Sequence, residues 1–422
     1  MPLRASVASN WPTTSPGSCW LAPVGTKVSW WACSTGLIGP RWPWAGASRF
    51  RSSRRRLACD PVATGAPVLT CVVVTGGGTA GHVLPALPVA QALLRAGSSV
   101  HFVGSTSGLE ERLVAPLDIP YHGIQAGKLR RYFSFENLVD ALRIPIGIVQ
   151  AWRLLARIRP VVVFSKGGYV SFPVVVGAWL RRIPVVAHES DLTPGLANRL
   201  AQRFTTTLCV NFESTRADHG RVVVTGTPVR GDLLHGDGVR GRHLLGLDAG
   251  RPVLLVVGGS LGAARLNDVV RGALEELRHN YHVVHVCGVG KADIALTSLP
   301  GYTQREYVTD EWGDVIAAAD LVISRAGANA LYEWLALGKP HLLVPLPRSA
   351  SRGDQIENAA YAESRGWSMV LAEDELNRET LVSGVAKLAA LSGEYRQRMR
   401  EFRVRDSTSL IVDELSAAAG PD

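Results

Sequence analysis

The chain has 422 residues, 46% of them hydrophobic and 19% charged, with a formal net charge of +9. That length suits two ordinary domains with separate cores, and no unbroken apolar run reaches the ~18 residues that would span a bilayer. The charge is concentrated at the start: residues 1–66 hold eight basic residues against the single acid Asp60. The rest is nearly neutral and gives no whole-molecule attraction to nucleic acid.

Residues 1–66 also carry six of the eleven tryptophans and three of the six cysteines. They show neither helical nor strand periodicity, and lack the ordered basic, apolar and small-residue regions of a signal peptide. The segment reads as upstream sequence translated in frame, with the real start near Val62 or Val68, or as a disordered Arg-rich arm for acidic lipid. The remaining cysteines, Cys71, Cys209 and Cys287, sit in or beside apolar runs without metal-ligand spacing. They read as core thiols in a reducing compartment.

The first element is Cys71-Val-Val-Val-Thr-Gly-Gly-Gly-Thr-Ala-Gly-His82: a β-branched strand, a glycine turn, then an amphipathic helix over 81–95. Glycines let backbone N–H groups approach an anion, and a helix start adds partial positive charge. A tight strand-to-helix turn would use the same glycines without any ligand. Residues 100–103 read as the second strand, with a helix starting near Gly108. A dinucleotide oxidoreductase would place a ribose-binding acid about 20 residues past its glycine turn. The first acid here is Glu110, which weakens that reading.

Residues 121–160 interleave aromatic and aliphatic residues (Phe133, Phe135, Ile146, Trp152) with cations (Arg130, Arg131, Arg153, Arg157). This composition suits an interface on anionic lipid, and equally a helix pair packed on the sheet with its cations in water. Strands follow at 161–164 and 183–187, ending in Ser165-Lys-Gly-Gly-Tyr169 and His188-Glu-Ser-Asp191. A helix opens after Pro194, and a strand at 222–225 leads into Gly226-Thr-Pro-Val-Arg230. Residues 231–250 read as linker. The plan then repeats: a strand at 252–257, the turn Gly258-Gly-Ser-Leu-Gly262, and a helix over 263–277. Further strands lie at 282–286, 320–324 and 341–345, the last followed by a polar loop over 347–355. Alternation of strand and helix throughout predicts two doubly wound, Rossmann-like α/β domains facing across a cleft, over 67–230 and 251–390, with a helical tail at 391–422.

These pieces, with Ser324-Arg-Ala-Gly-Ala-Asn-Ala-Leu-Tyr-Glu333 and Asp354-Gln355, resemble in number, order and spacing the MurG-type glycosyltransferases of family 28. The resemblance covers about five-sixths of the chain. It implies the GT-B fold and transfer of N-acetylglucosamine (GlcNAc) from UDP-GlcNAc to the 4-hydroxyl of N-acetylmuramic acid (MurNAc). That acceptor sugar is carried by the undecaprenyl-pyrophosphoryl-MurNAc-pentapeptide lipid of cell-wall synthesis. On this resemblance the second domain holds the donor through Gly259, Ser260 and Gly262 at the pyrophosphate, Arg230 near the same phosphates, Glu333 at the ribose, and Asp354 and Gln355 at the sugar. Gly77, Gly78, Thr79, Ala80 and Gly81 receive the acceptor pyrophosphate. His82 is the base, with a capping or phosphate-positioning role as the alternative and Glu189 as the other candidate base.

The resemblance also implies no cofactor and no metal, in keeping with the lack of an Asp-x-Asp pair. The acceptor's lipid makes 121–160, with Phe133, Phe135, Trp152, Arg130 and Arg131, a peripheral patch for the anionic inner leaflet of the cell membrane. Four places depart from the common pattern: Ala80 for Gly, Ser190-Asp191 for Gln-Asn, Leu261 for Gln, and Asp354 for one of a Gln pair. Asp191 thereby places a carboxylate where an amide would meet the donor sugar. The rival readings are a glycosyltransferase with another lipid acceptor, a UDP-sugar 2-epimerase of the same plan, and a non-catalytic binding protein.

Overall fold

The computed structural model describes residues 68–106, 108–127, 135–215, 217–247, 250–259, 263–308 and 311–420, the side chains of 135–142 excepted. The segment 1–66, Arg130, Arg131, Phe133, Ser260, Leu261 and Gly262 lie outside the described residues, as does the side chain of Phe135.

The first domain runs β1 (Cys71–Thr75), α1 (Ala80–Val83), α2 (Leu87–Arg95), β2 (Ser99–Ser105), α3 (Glu110–Val114), β3 (Tyr121–Ile124), α4 (Phe135–Ile158), β4 (Val162–Ser165), α5 (Ser171–Leu180), β5 (Val185–Glu189), α6 (Leu196–Gln202), β6 (Thr207–Val210) and β7 (Arg221–Val224). Its strands are parallel, in the order β3-β2-β1-β4-β5-β6-β7. Side chains alternate across a strand, so each run serves two cores. Val72, Val74, Val100, Phe102, Val162 and Phe164 face one side with α2. Val73, Val103, Val163 and Val185 face the other with α4 and α5. The helix expected over 81–95 is broken into α1, a 3₁₀ turn at Leu84–Ala86, and α2. Pro85 and Pro88 lack the N–H groups that a continuous helix would use.

The second domain comprises α7 (Gly231–Leu234), α8 (Gly238–Leu245), β8 (Val253–Val257), α9 (Ala264–Gly272), α10 (Leu274–Asn280), β9 (His282–Val286), β10 (Tyr302–Arg305), α11 (Trp312–Ala318), β11 (Leu321–Ser324), α12 (Ala328–Ala336), β12 (His341–Leu343), α13 (Asp354–Ser364), β13 (Met369–Val370), α14 (Arg378–Ala390), α15 (Ser392–Met399) and α16 (Ser407–Ala419). Its sheet repeats the first one's order as β10-β9-β8-β11-β12-β13, again parallel.

Residues 231–250, read from sequence as linker, hold α7 and α8. Asp237 caps α8 by accepting the Val239 and Arg240 N–H groups, and Gly241 lets that helix lie against the Asp314 carbonyl of α11. Leu233 and Leu245 enter the core below β8. The last helix, α16, crosses back to the first domain. Its Ile411, Val412 and Leu415 are buried in the same core as Leu69, Val72 and Leu93, and Glu414 accepts from Arg221 at 3.0 Å.

In each sheet the strand order reverses direction between the first strand and the fourth, β1/β4 in one and β8/β11 in the other. Loops leaving adjacent strands diverge there and open a crevice at the strand C-termini. The glycine turns after β1, β4 and β8 all lie at these switch points.

Candidate active site

Two glycine turns of the first domain are packed into each other. The Gly77 N–H donates to the Gly167 carbonyl at 3.3 Å, and a Cβ on Gly168 would lie 2.1 Å from the Gly77 carbonyl oxygen. Gly78 has φ +89°, and a Cβ there would strike the Tyr169 ring at 2.4 Å. Behind the turn, the buried Glu110 accepts the Gly78 N–H at 2.7 Å and the Ser105 hydroxyl at 3.0 Å. Of the five residues expected to meet the acceptor pyrophosphate, Gly77 and Gly78 thus have their N–H groups turned inward. Thr79 and Gly81 form the exposed lip, with Ala80 between them.

His82 follows in α1, a single turn with little dipole to offer. Burial lowers its pKa first, and the cations of Lys166 and Arg352 add to this. A hydrogen bond to the Lys166 backbone opposes them, leaving the value at about 4. The ring is therefore neutral at pH 7 and able to accept a proton. The shift comes from burial and neighbouring cations rather than from the helix end.

Glu189, the other candidate base, is 2% exposed with both oxygens engaged. One accepts the Asp191 N–H at 3.0 Å and the other the Asn198 side-chain amide at 2.7 Å. Asn198 in turn accepts the Gly168 N–H at 3.2 Å. Glu189 is thus a brace for the second glycine turn. The neighbouring His188 bonds the Gly226 carbonyl at 2.8 Å, tying β5 to the segment that leads into the second domain.

Asp191 faces across the cleft. Asn358 of α13 donates to it at 3.1 Å and Arg352 at 3.2 Å, while Arg352 lies 3.6 Å from Asp354. Burial and the nearby Glu189 push the Asp191 carboxyl up to about 7. Asp191 and Asp354, two of the departures from the common pattern, therefore share one arginine between the domains. A cavity of about 180 Å³ opens beside them, lined by Thr193, Pro194, Arg199, Arg352, Asp354 and Glu357 among others. The Gln355 side-chain oxygen accepts the Leu346 N–H at 3.0 Å.

In the second domain, Gly259 is exposed, with φ +90° and open space where a Cβ would be. A backbone of that shape lets an anion approach closely. Arg230 caps the segment from the first domain and pairs with Asp232 at 3.3 Å. Glu333, on α12, is pushed up to about 7, chiefly by burial and against the nearby Arg230. Below the site, Arg325 and Glu373 form a buried ion pair at 2.9 Å, with Arg325 also donating to the Val344 carbonyl at 3.0 Å. This pair fixes the loops leaving β11 and β12.

Sequence reasoning gave no site role to Glu110, Asn198, Asn329, Arg352 or Asn358, although Glu110 was noted as the first acid past the glycine turn and Asn358 stands in the motif that carries the resemblance. Lys166 and Asn329 stood inside quoted motifs, and Arg352 in a loop marked only as polar. Among the described residues, no group of three or more His, Cys, Asp or Glu is placed to hold a metal ion, and no helix is long and apolar enough to cross a membrane.

Two parallel α/β domains with glycine turns at both switch points and an ionisable cleft between them have the GT-B architecture. A solved structure of MurG from Acinetobacter baumannii matches with a TM-score of 0.66 and 28% identity, over 82% of this chain and 99% of that one. A UDP-GlcNAc 2-epimerase from Neisseria meningitidis, bound to UDP-GlcNAc, shares the fold with a TM-score of 0.59 at 14% identity.

The patterns of the glycosyltransferase family 28 N-terminal and C-terminal domains match residues 72–210 and 253–412. A protein of Legionella pneumophila (strain Paris) is 48% identical over 344 residues, 81% of this chain and 95% of the relative. One from Lachnospira eligens is also 48% identical, with 97% of its length covered. Both are called UDP-N-acetylglucosamine–N-acetylmuramyl-(pentapeptide) pyrophosphoryl-undecaprenol N-acetylglucosamine transferase. The chain belongs to glycosyltransferase family 28, among its N-acetylglucosaminyltransferases.

Proposed function

We propose that the chain transfers GlcNAc from UDP-GlcNAc to the 4-hydroxyl of MurNAc in undecaprenyl-pyrophosphoryl-MurNAc-pentapeptide, inverting the anomeric centre from α to β. The observation that carries this reading is the 48% identity to transferases so named, over 95% of their length. The epimerase reading shares only the fold, at 14% identity.

In the proposed reaction the acceptor hydroxyl loses its proton to His82 while its oxygen attacks C1 of the donor sugar. The bond from C1 to the UDP oxygen breaks, and UDP leaves with the negative charge. Thr79, Ala80 and Gly81 offer backbone N–H groups to the acceptor pyrophosphate. Gly259, Ser260, Gly262 and Arg230 meet the UDP phosphates, so fixed dipoles and a guanidinium stabilise the leaving group without a metal. Glu333 accepts from the ribose hydroxyls. Asp354 and Gln355 orient the sugar, and Asp191 reaches it only by way of Arg352. The work belongs to cell-wall growth, and through it to cell shape and division.

The lipid acceptor places the enzyme on the cytoplasmic face of the cell membrane as a peripheral protein. Supporting this, Ile146, Val149 and Trp152 on α4 and Trp179 and Leu180 on α5 are exposed. Arg181 lies over the Trp152 ring, 4.1 Å from its centroid. Large apolar side chains in water beside arginines suit an interface with anionic headgroups.

The test is full-length protein with labelled UDP-GlcNAc and the muramyl-pentapeptide lipid in detergent, with EDTA present. Labelled disaccharide lipid and free UDP are the expected products. Donor binding with no transfer to this acceptor, and transfer to another lipid, would refute it.

A further inference from the structure

One buried charge stands outside the roles assigned so far. Lys166, at the end of β4, is 1% exposed, and no carboxylate lies within ion-pairing distance of it among the described residues. Its ammonium donates to the Ser190 hydroxyl at 2.5 Å, and Ser190 donates to the Asn329 side-chain oxygen at 2.8 Å. Asn329 belongs to α12 of the facing domain, and its amide donates to the Gly81 carbonyl at 2.8 Å. The chain of bonds therefore starts beside His82, crosses the cleft, and returns to the residue immediately before His82. Thr227 joins it, 3.4 Å from the Asn329 oxygen. Asn329 and Glu333 stand four residues apart on α12, on one helical face.

We propose that Lys166 is a positioning residue: its buried ammonium holds the Ser190–Asn329 link between the domains and sets a positive charge beside the adjoining His82 ring. Burial lowers the lysine to about 8, against the pull of Glu189 and Asp191, so it carries its proton at pH 7. The charged groups acting on the His82 ring are Lys166, just after β4, and Arg352 from the loop before α13; Glu189 at the end of β5 and Asp191 just beyond it act on Lys166 itself. Ser190 is one of the departures from the common family pattern. Its hydroxyl, unlike a longer amide, is short enough to sit between the lysine and Asn329.

The test uses the full chain with ¹³C-labelled histidine, the His82 resonance assigned with His82→Gln. In Lys166→Met the ring titration moves up by about one pH unit, as expected on losing a nearby like charge. In Ser190→Ala, which removes one oxygen and keeps the lysine charge, the ring titration stays in place. Transfer nevertheless falls about tenfold or more, because the acceptor loop is no longer held to α12, while UDP binding by calorimetry stays at the wild-type level. An unmoved His82 titration in Lys166→Met overturns the inference, as does wild-type transfer in Ser190→Ala. The transfer measurement rests on the proposed reaction and the titration does not. If the wild type transfers to no acceptor, the reaction is wrong, and the titration still decides the role of Lys166.

Discussion

Replacing Gly168 with alanine tests whether the two glycine turns are locked together. Its φ is +87°, and an added Cβ would lie 2.1 Å from the Gly77 carbonyl oxygen and 3.0 Å from Cδ2 of His82. The backbone conformation alone costs about 1–3 kcal/mol for a residue with a side chain. The overlap is with main chain, which cannot rotate away, so the turns must part by about 1.3 Å to reach an ordinary 3.4 Å contact. Overpacking of this kind adds about 1–3 kcal/mol. Gly97 is the control: its φ is +93°, and nothing lies within 4 Å of its added Cβ. Urea unfolding should show Gly168→Ala losing about 2–6 kcal/mol and Gly97→Ala only the backbone part. Because His82 moves with the turn, transfer should fall about a hundredfold in Gly168→Ala alone. Equal stability losses in the two variants, with wild-type transfer in both, would show that the turns are free of each other.

Glu373→Gln strands the buried Arg325 guanidinium and should cost about 3–5 kcal/mol by urea unfolding; a loss below about 1 kcal/mol would mean that water reaches the pair. With His82 held at about 4 and Lys166 at about 8, kcat/KM should fall as pH drops through the first value and as it rises through the second. A profile flat across pH 8 would remove the lysine from the working site. Glu333 is raised from 4.5 to about 7, so its protonated form is favoured in the folded chain. Stability from this group is present below 4.5 and lost as pH rises through about 7. Glu333→Gln should flatten thermal stability over that window, and an unchanged slope would place the carboxylate in water. Serine at Phe133, Phe135 and Trp152 should release the protein from anionic vesicles in flotation while UDP binding is kept. Undiminished flotation would return these residues to structural roles.

Much of the fold was legible because its signals are local. The runs at 72–74, 162–163 and 253–256 are β-branched and aliphatic, as strands covered on both faces require, and glycine turns mark where each strand ends. The short strands β3, β6, β10 and β13 passed unnoticed. β3 and β10 lie at sheet edges, where Tyr121-His122 and Thr303-Gln304 can be polar because one flank meets water. Prolines 85 and 88 fit amphipathic spacing while interrupting the hydrogen-bond ladder, so periodicity alone ran through them. The partners of the site residues were not legible. Glu110 meets Gly78 across 32 positions, Asp191 meets Asn358 across 167, and Asn329 meets Gly81 across 248. Such pairs are made by topology, and nothing near either residue announces the other. Asp191 shows the effect: read locally it is a carboxylate aimed at a sugar, yet in the fold it belongs to an arginine of the opposite domain.

The return of α16 to the first domain bears on how the protein is made. On the ribosome, the face of the first sheet that Ile411, Val412 and Leu415 will cover is finished some 200 residues before those side chains are synthesised. That apolar face must wait, uncovered, while the entire second domain emerges and folds. A chain cut short by its last helix would lose integrity at its beginning, leaving the nearby second domain whole.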